Sequence, residues 1–203
     1  MNRPAAAMLI PDGELRYEIR RGGELLALET ESLTAGVIRG TRRAPGSSNL
    51  YEVEAELDDS SLVKRIVVRY KRGPFVRTAV YDATGDFMRG TISAVASRNN
   101  LTAKLGRYRE VDAGLVIFRA LTIAHLRERG QARWTGRVVS IDPNTLVAAT
   151  VKQSCRRRGT DSRAWIYEQR MGDSEEIEID ENGRVLRARD NLGVERVLVS
   201  PPQ

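Results

Sequence analysis

Residues 112–130 read DAGLVIFRALTIAHLRERG, and the reading of this stretch decides the fold. Ile117, Leu121 and Ala124 recur at helical spacing, as do Phe118 and Leu121. Asp112 can cap a helix by accepting backbone N–H bonds with its carboxylate. Arg127 and Arg129 fall in the last turn, where the helix dipole favours cations, and Gly130 supplies a left-handed stop. The spacing predicts one helix over 113–129. Leu115, Val116, Ile117, Phe118, Ala120, Leu121, Ile123, Ala124 and Leu126 leave it little polar face, so it should be buried on more than one side.

Before the helix the period changes from three-and-a-half to two. Leu15, Tyr17 and Ile19 alternate with Glu14, Arg16, Glu18 and Arg20, the pattern of a half-buried strand. Gly22-Gly23 suits a tight hairpin, with a partner strand over 25–33. The polar stretch 40–49 reads as a loop. Tyr51, Val53, Ala55 and Leu57 then face one way while Glu52, Glu54 and Glu56 face the other. Strands are expected over 64–70, 75–81, 87–95 and 101–105, separated by turn chemistry at 58–61, 71–74, 82–85 and 98–100. Hairpin follows hairpin, which describes a meander. Residues 1–12 look like a loose leader.

After the helix, strands are expected over 131–140 and 146–155, joined by Asp142-Pro143-Asn144, with a basic loop over 156–162. Further strands follow over 163–169, 176–180, 185–189 and 194–199, with turns at 171–174, 180–183 and 190–193. There is no internal repeat and no linker, so the expectation is a single domain over 1–203.

Hydrophobic residues make up 41% and charged residues 30%, enough apolar surface for a core and far from a disordered composition. Aromatics are 5%, so the core must rest on Val, Ile, Leu and Ala. The net charge of +6 comes mostly from arginines spread along the chain beside 27 acids, the pattern of a solvated surface. One cysteine, Cys155, excludes an intramolecular disulfide. No run of about 18 apolar residues exists to span a membrane. The first residues lack a secretory pattern, so the chain as it stands is expected in the cytoplasm, or in the periplasm if a signal peptide has been removed.

Familiar catalytic chemistry finds little footing, and no catalytic residue is nominated. His125 is the only histidine, and a Cys155–His125 pair is less favoured than two ordinary packed residues. There is no nucleophile elbow, phosphate loop or dinucleotide fingerprint, and no cofactor or metal is expected. Glu178, Asp180, Asn182 and Gly183 resemble part of a calcium loop, but Arg189 stands where its last carboxylate belongs, and a hairpin turn is the better reading. Asn100-Leu101-Thr102 fits a glycosylation acceptor only in a secreted chain. The acid pairs Asp58/Asp59 and Glu175/Glu176 have no evident partner that would separate their pKa values. Arg156-Arg157-Arg158 is the densest basic cluster. With Trp165 and Tyr167 it could bind nucleic acid, or it could receive an anionic headgroup.

Many strands around one apolar helix admit few arrangements. The expected architecture is mainly β: a single large curved antiparallel sheet, a half-barrel or β-roll, wrapped around one central helix. Ala79, Ala94, Ala96, Ala148 and Gly136 would leave room beside that helix for an apolar ligand. The helix 112–130 after a meander, with the closing hairpins 176–186 and 189–199, resembles the bacterial lipoprotein-carrier and related lipid-binding half-barrels in element order. The resemblance covers most of the chain without a diagnostic motif. It implies a non-catalytic role in binding an acyl chain, glycolipid or other apolar ligand. The contacts would come from Phe87, Phe118, Leu121, Trp134 and Trp165. The alternatives are a nucleic-acid module using Arg156, Arg157 and Arg158, and a structural or interaction protein with a filled core.

Overall fold

The computed structural model describes residues 9–94, 97–106, 110–170 and 173–199. Before the helix, the strands are β1 (Gly13–Arg21), β2 (Glu24–Thr34), β3 (Val37–Arg43), β4 (Leu50–Leu57), β5 (Val63–Arg72), β6 (Phe75–Thr84), β7 (Phe87–Ala94), β8 (Ser97–Lys104) and the two-residue β9 (Val111–Asp112). The helix α1 (Val116–Glu128) follows, then β10 (Arg133–Ile141), β11 (Ala148–Arg157), β12 (Ala164–Arg170), β13 (Asp173–Ile179), β14 (Val185–Asp190) and β15 (Val194–Leu198). All fifteen strands belong to one sheet, in the order β8-β7-β6-β5-β4-β3-β2-β1-β15-β14-β13-β12-β11-β10-β9. The ladders are antiparallel between neighbours in sequence, β1 closes on β15, and β9 alone is parallel, along β10.

The sheet curls because one face is largely apolar. Tyr17, Ile38, Val53, Ile66, Tyr81, Met88, Trp165 and Ile177 all point inward and are buried around α1. Every residue from Val116 to Leu126 is buried, so the helix lies inside the sheet. The β8 end returns to the β10–β11 hairpin: the Thr150 hydroxyl donates to Lys104 O at 2.8 Å. The Tyr81 hydroxyl donates to Leu146 O at 2.8 Å and accepts from Ala148 N at 3.1 Å. No helix among the described residues is long and apolar enough to cross a membrane.

Several expected boundaries need correction. The helix begins at Val116, with Leu115 as an N-cap that offers no side-chain bond. Asp112 instead accepts from Gly114 N at 2.7 Å, because the β9 pairing holds residue 112 extended and the chain turns at Gly114, φ 78°. The expected loop over 40–49 contains the end of β3. Gly40 belongs there for a packing reason: a Cβ on it would lie 2.2 Å from Leu115 Cδ1. Residues 98–100, expected as a turn, lie within β8, and the basic stretch opens as strand, since β11 runs to Arg157. Residues 1–8 of the expected leader, Val95 and the Met171-Gly172 start of an expected turn lie outside the described residues.

The room that small residues were expected to leave is filled where the chain is described. The Trp134 ring occupies the place of a Gly136 side chain, and Leu115 that of Gly40. Ala79 and Ala148 are packed, while Ala96 and the Ala94 side chain fall outside the description. A narrow space between Tyr17, Glu31, Leu33, Ile117 and Ala120 measures about 10 Å³, roughly room for one water molecule.

Candidate functional site

The inner face of β2 breaks its own pattern. Ala27 and Leu33 point inward, and so therefore do Glu29 and Glu31, which are 1% exposed. Both meet the start of α1. Val116 N donates to Glu29 Oε1 at 3.2 Å and Ile117 N to Glu31 Oε1 at 3.0 Å. The sheet thus caps the helix, satisfying first-turn N–H groups that Leu115 cannot. Arg42 Nε donates to Glu29 Oε2 at 2.7 Å, and its Nη2 reaches Gly114 O. Burial alone would raise the Glu29 carboxyl, but Arg42 and Arg196 bring it below the usual range. Glu31 goes the other way: burial and then the Glu29 charge hold its carboxyl well above its ordinary value.

Arg119, the one cation inside the buried run of α1, gathers a second cluster. Its Nε bonds Glu175 Oε2, and its Nη1 reaches Asp112 Oδ1 at 3.3 Å and Leu115 O at 3.2 Å. Its guanidinium lies 5.5 Å from the Tyr167 ring centroid. Arg196 bonds the other oxygen of Glu175, and Gln169 Nε2 bonds Asp112 Oδ2. Burial would raise the Glu175 carboxyl, yet Arg119 and Arg196 hold it below its ordinary value. Three arginines (Arg42, Arg119 and Arg196) thus pair with Glu29, Asp112 and Glu175, the condition for keeping such groups buried.

A split in the sheet opens beside this buried cluster. β11 pairs with β10 from Ala148 to Arg156, but with β12 only from Ser154 to Arg157. The first part of β11 leans away with the β10–β11 hairpin towards Tyr81 and Lys104. Two clefts open nearby, the first bounded by β12, β13 and the β14–β15 turn and the second reaching β10 and β11. One, about 230 Å³, is lined by Arg119, Tyr167, Gln169, Asp173, Asp190 and Leu192 among others. The other, about 250 Å³, is lined by Asp112, Arg119, Ile141, Val147, Val151, Gln169 and Asp173 among others. Arg119, Gln169 and Asp173 belong to both.

The residues expected to touch a ligand lie elsewhere. Phe118 and Leu121 are buried on α1, and Trp165 is buried with its Nε1 donating to Ser162 O at 3.0 Å. Trp134 lies over Gly136. Phe87 does not face the concave side: its neighbour Met88 does, and Phe87 lies half-buried on the outer face with Arg89 5.6 Å from its ring centroid. Arg156, Arg157 and Arg158 are exposed. Arg158 pairs with Glu176 at 3.1 Å and Arg156 approaches Glu168 at 3.9 Å. Trp165 and Tyr167 are buried on the inner face, opposite to that of Arg156 and Arg158, while Arg157 stands in register with Trp165 at the sheet's end. Cys155 and His125 are not brought together as a pair. Cys155 stands in register with Trp134 and Tyr167, its thiol pushed up to about 12 by burial and then by Glu110, whereas His125 Nε2 meets Ser61 O at 3.3 Å. Asp180 Oδ1 accepts from Arg184 N at 2.8 Å, closing the hairpin turn.

No protein-family model and no curated protein matches the chain. Two solved structures share its fold. A DUF1089 family protein from Pseudomonas aeruginosa superposes with a TM-score of 0.57 at 18% identity, covering 92% of this chain and 94% of that one. A β-barrel-like DUF1849 protein from Brucella abortus gives 0.53 at 10% identity, covering 95% and 97%.

Proposed function

We propose that this chain is a non-catalytic binding protein for an amphiphile, glycolipid in class, whose polar head enters the split between β11 and β12. The observation that carries this reading is the pair of clefts meeting at Arg119, Gln169 and Asp173. The polar part of their lining includes Asp112, Gln169, Asp173 and Asp190, which suits a head rich in hydroxyl donors and acceptors. The apolar part includes Ile141, Val147 and Val151 in one cleft and Leu192 in the other, which suits the start of an acyl chain. In this reading Phe118, Leu121, Trp134 and Trp165 hold α1 in its sleeve, and they touch the chain of the ligand only where α1 is displaced.

The test is native mass spectrometry of gently purified protein for co-purified lipid, with calorimetric titration of dodecyl maltoside below its micelle concentration. Uptake is expected, weakened about tenfold by Gln169→Ala or Asp173→Ala through loss of a hydrogen bond to the head. A clean apo mass together with no heat of binding overturns the proposal and favours a structural protein with a filled core.

A further inference from the structure

Across the outer face of the sheet, charges in register are of opposite sign. Arg39 stands opposite Glu54, Glu52 opposite Arg69, Arg65 opposite Asp82, Arg20 opposite Glu195, and Glu178 opposite Arg187. The β10–β11 ladder is different. Arg133 stands opposite Arg156 and Arg137 opposite Lys152, with Thr135 opposite Ser154 between them. All four cations are exposed on one face. Like charges directly opposite on a strand pair repel. Among the described residues Arg133, Arg137 and Lys152 have no ion-pair partner to relieve this, and Arg156 has only Glu168 at 3.9 Å. The arrangement lowers stability unless something anionic covers it.

We propose that the outer face of β10 and β11 docks on an anionic lipid surface. Charge complementarity identifies the partner, since cations near such a surface each add to the attraction. Single-stranded nucleic acid fits less well, because it needs exposed aromatic rings to stack bases and Trp134, Trp165 and Tyr167 all point inward and are buried. A shallow, open depression on this face is lined by Thr135, Lys152, Ser154 and Glu168, and it shares Val151 and Gln169 with the cleft at Arg119. Resting on the amphiphile reading, the docked face therefore sets the cleft beside the membrane from which an amphiphile would come.

The experiment is co-sedimentation with vesicles of phosphatidylcholine alone or mixed with phosphatidylglycerol. The wild type is compared with the variant R133Q/R137Q/K152Q/R156Q and with R39Q/R65Q/K71Q/R187Q, which removes equal charge from paired cations. The wild type should bind mixed vesicles at least about tenfold better than neutral ones, less so as salt rises. The first variant should lose that preference and melt no lower than wild type; the second should keep it within about twofold. Equal loss in both variants, no vesicle binding, or stronger retention on a single-stranded oligonucleotide than on vesicles overturns the proposal. Dodecyl maltoside titration separates the two readings. Vesicle binding without uptake leaves the docking face standing and removes the amphiphile, and uptake without vesicle binding does the reverse.

Discussion

Glu110 lies 7% exposed at the edge of β10, with Arg129 Nη1 4.0 Å from its carboxylate and its Oε2 without a hydrogen bond. Burial raises its carboxyl to about 7, an effect that its backbone N–H and Arg129 offset only in part. The unfolded chain releases this proton near the ordinary 4.5, so between those values the folded state binds more protons. The stability Glu110 contributes is complete below 4.5 and is lost as pH rises through about 7. Glu31, raised by burial and by Glu29, acts in the same direction. His125 acts in the opposite one. Its pKa is lowered by burial, with the Ser61 carbonyl offsetting part, so its contribution is complete above the ordinary 6.5 and is lost as pH falls below it. The variant E110Q should therefore melt close to wild type at pH 5 and higher at pH 8, by about 1–3 kcal/mol of stability. Calorimetry at the two pH values checks this, and equal melting at both would refute it.

The central helix and its sheet are joined by fits that differ in how visible they are in sequence. The apolar run from Leu115 to Leu126 announces burial, and the alternation in β4 announces its inner face, because both patterns are periodic. β3 is harder to read, since Gly40 and Thr41 resemble turn residues; only the Leu115 side chain, distant in sequence, explains why a glycine sits mid-strand. The charged cluster left fainter signs: Glu29 and Glu31 share the parity of Ala27 and Leu33, and Arg119 interrupts an apolar helix. Their partners Glu175 and Arg196 could not be assigned without the fold, and neither could the split between β11 and β12. The contact at Gly40 also gives a prediction. Gly40→Ala should destabilise by about 1–3 kcal/mol by overpacking against Leu115, whereas in a Leu115→Ala background the same change should be neutral or favourable. A denaturant-based double-mutant cycle measures the coupling, and additive effects would contradict the contact.

Taken whole, the sheet consists of two meanders, β1 to β8 and β10 to β15, built from strands adjacent in sequence. The β1–β15 ladder joins them, pairing Tyr17 with Leu198 and Arg21 with Val194. Its formation closes a loop of nearly the entire chain, and the entropy of that closure must be met before its contacts reward it. Each meander can zip locally; the seam cannot. The seam should therefore be absent from the folding transition state. Leu198→Ala is expected to accelerate unfolding and leave the refolding rate nearly unchanged, while Val53→Ala within a meander slows refolding. Stopped-flow chevrons distinguish the two, and a slowed refolding limb for Leu198→Ala would reverse the order of assembly. The first and last strands thus act as a clasp: what decides how long the native state persists, once formed, is how rarely that clasp slips open.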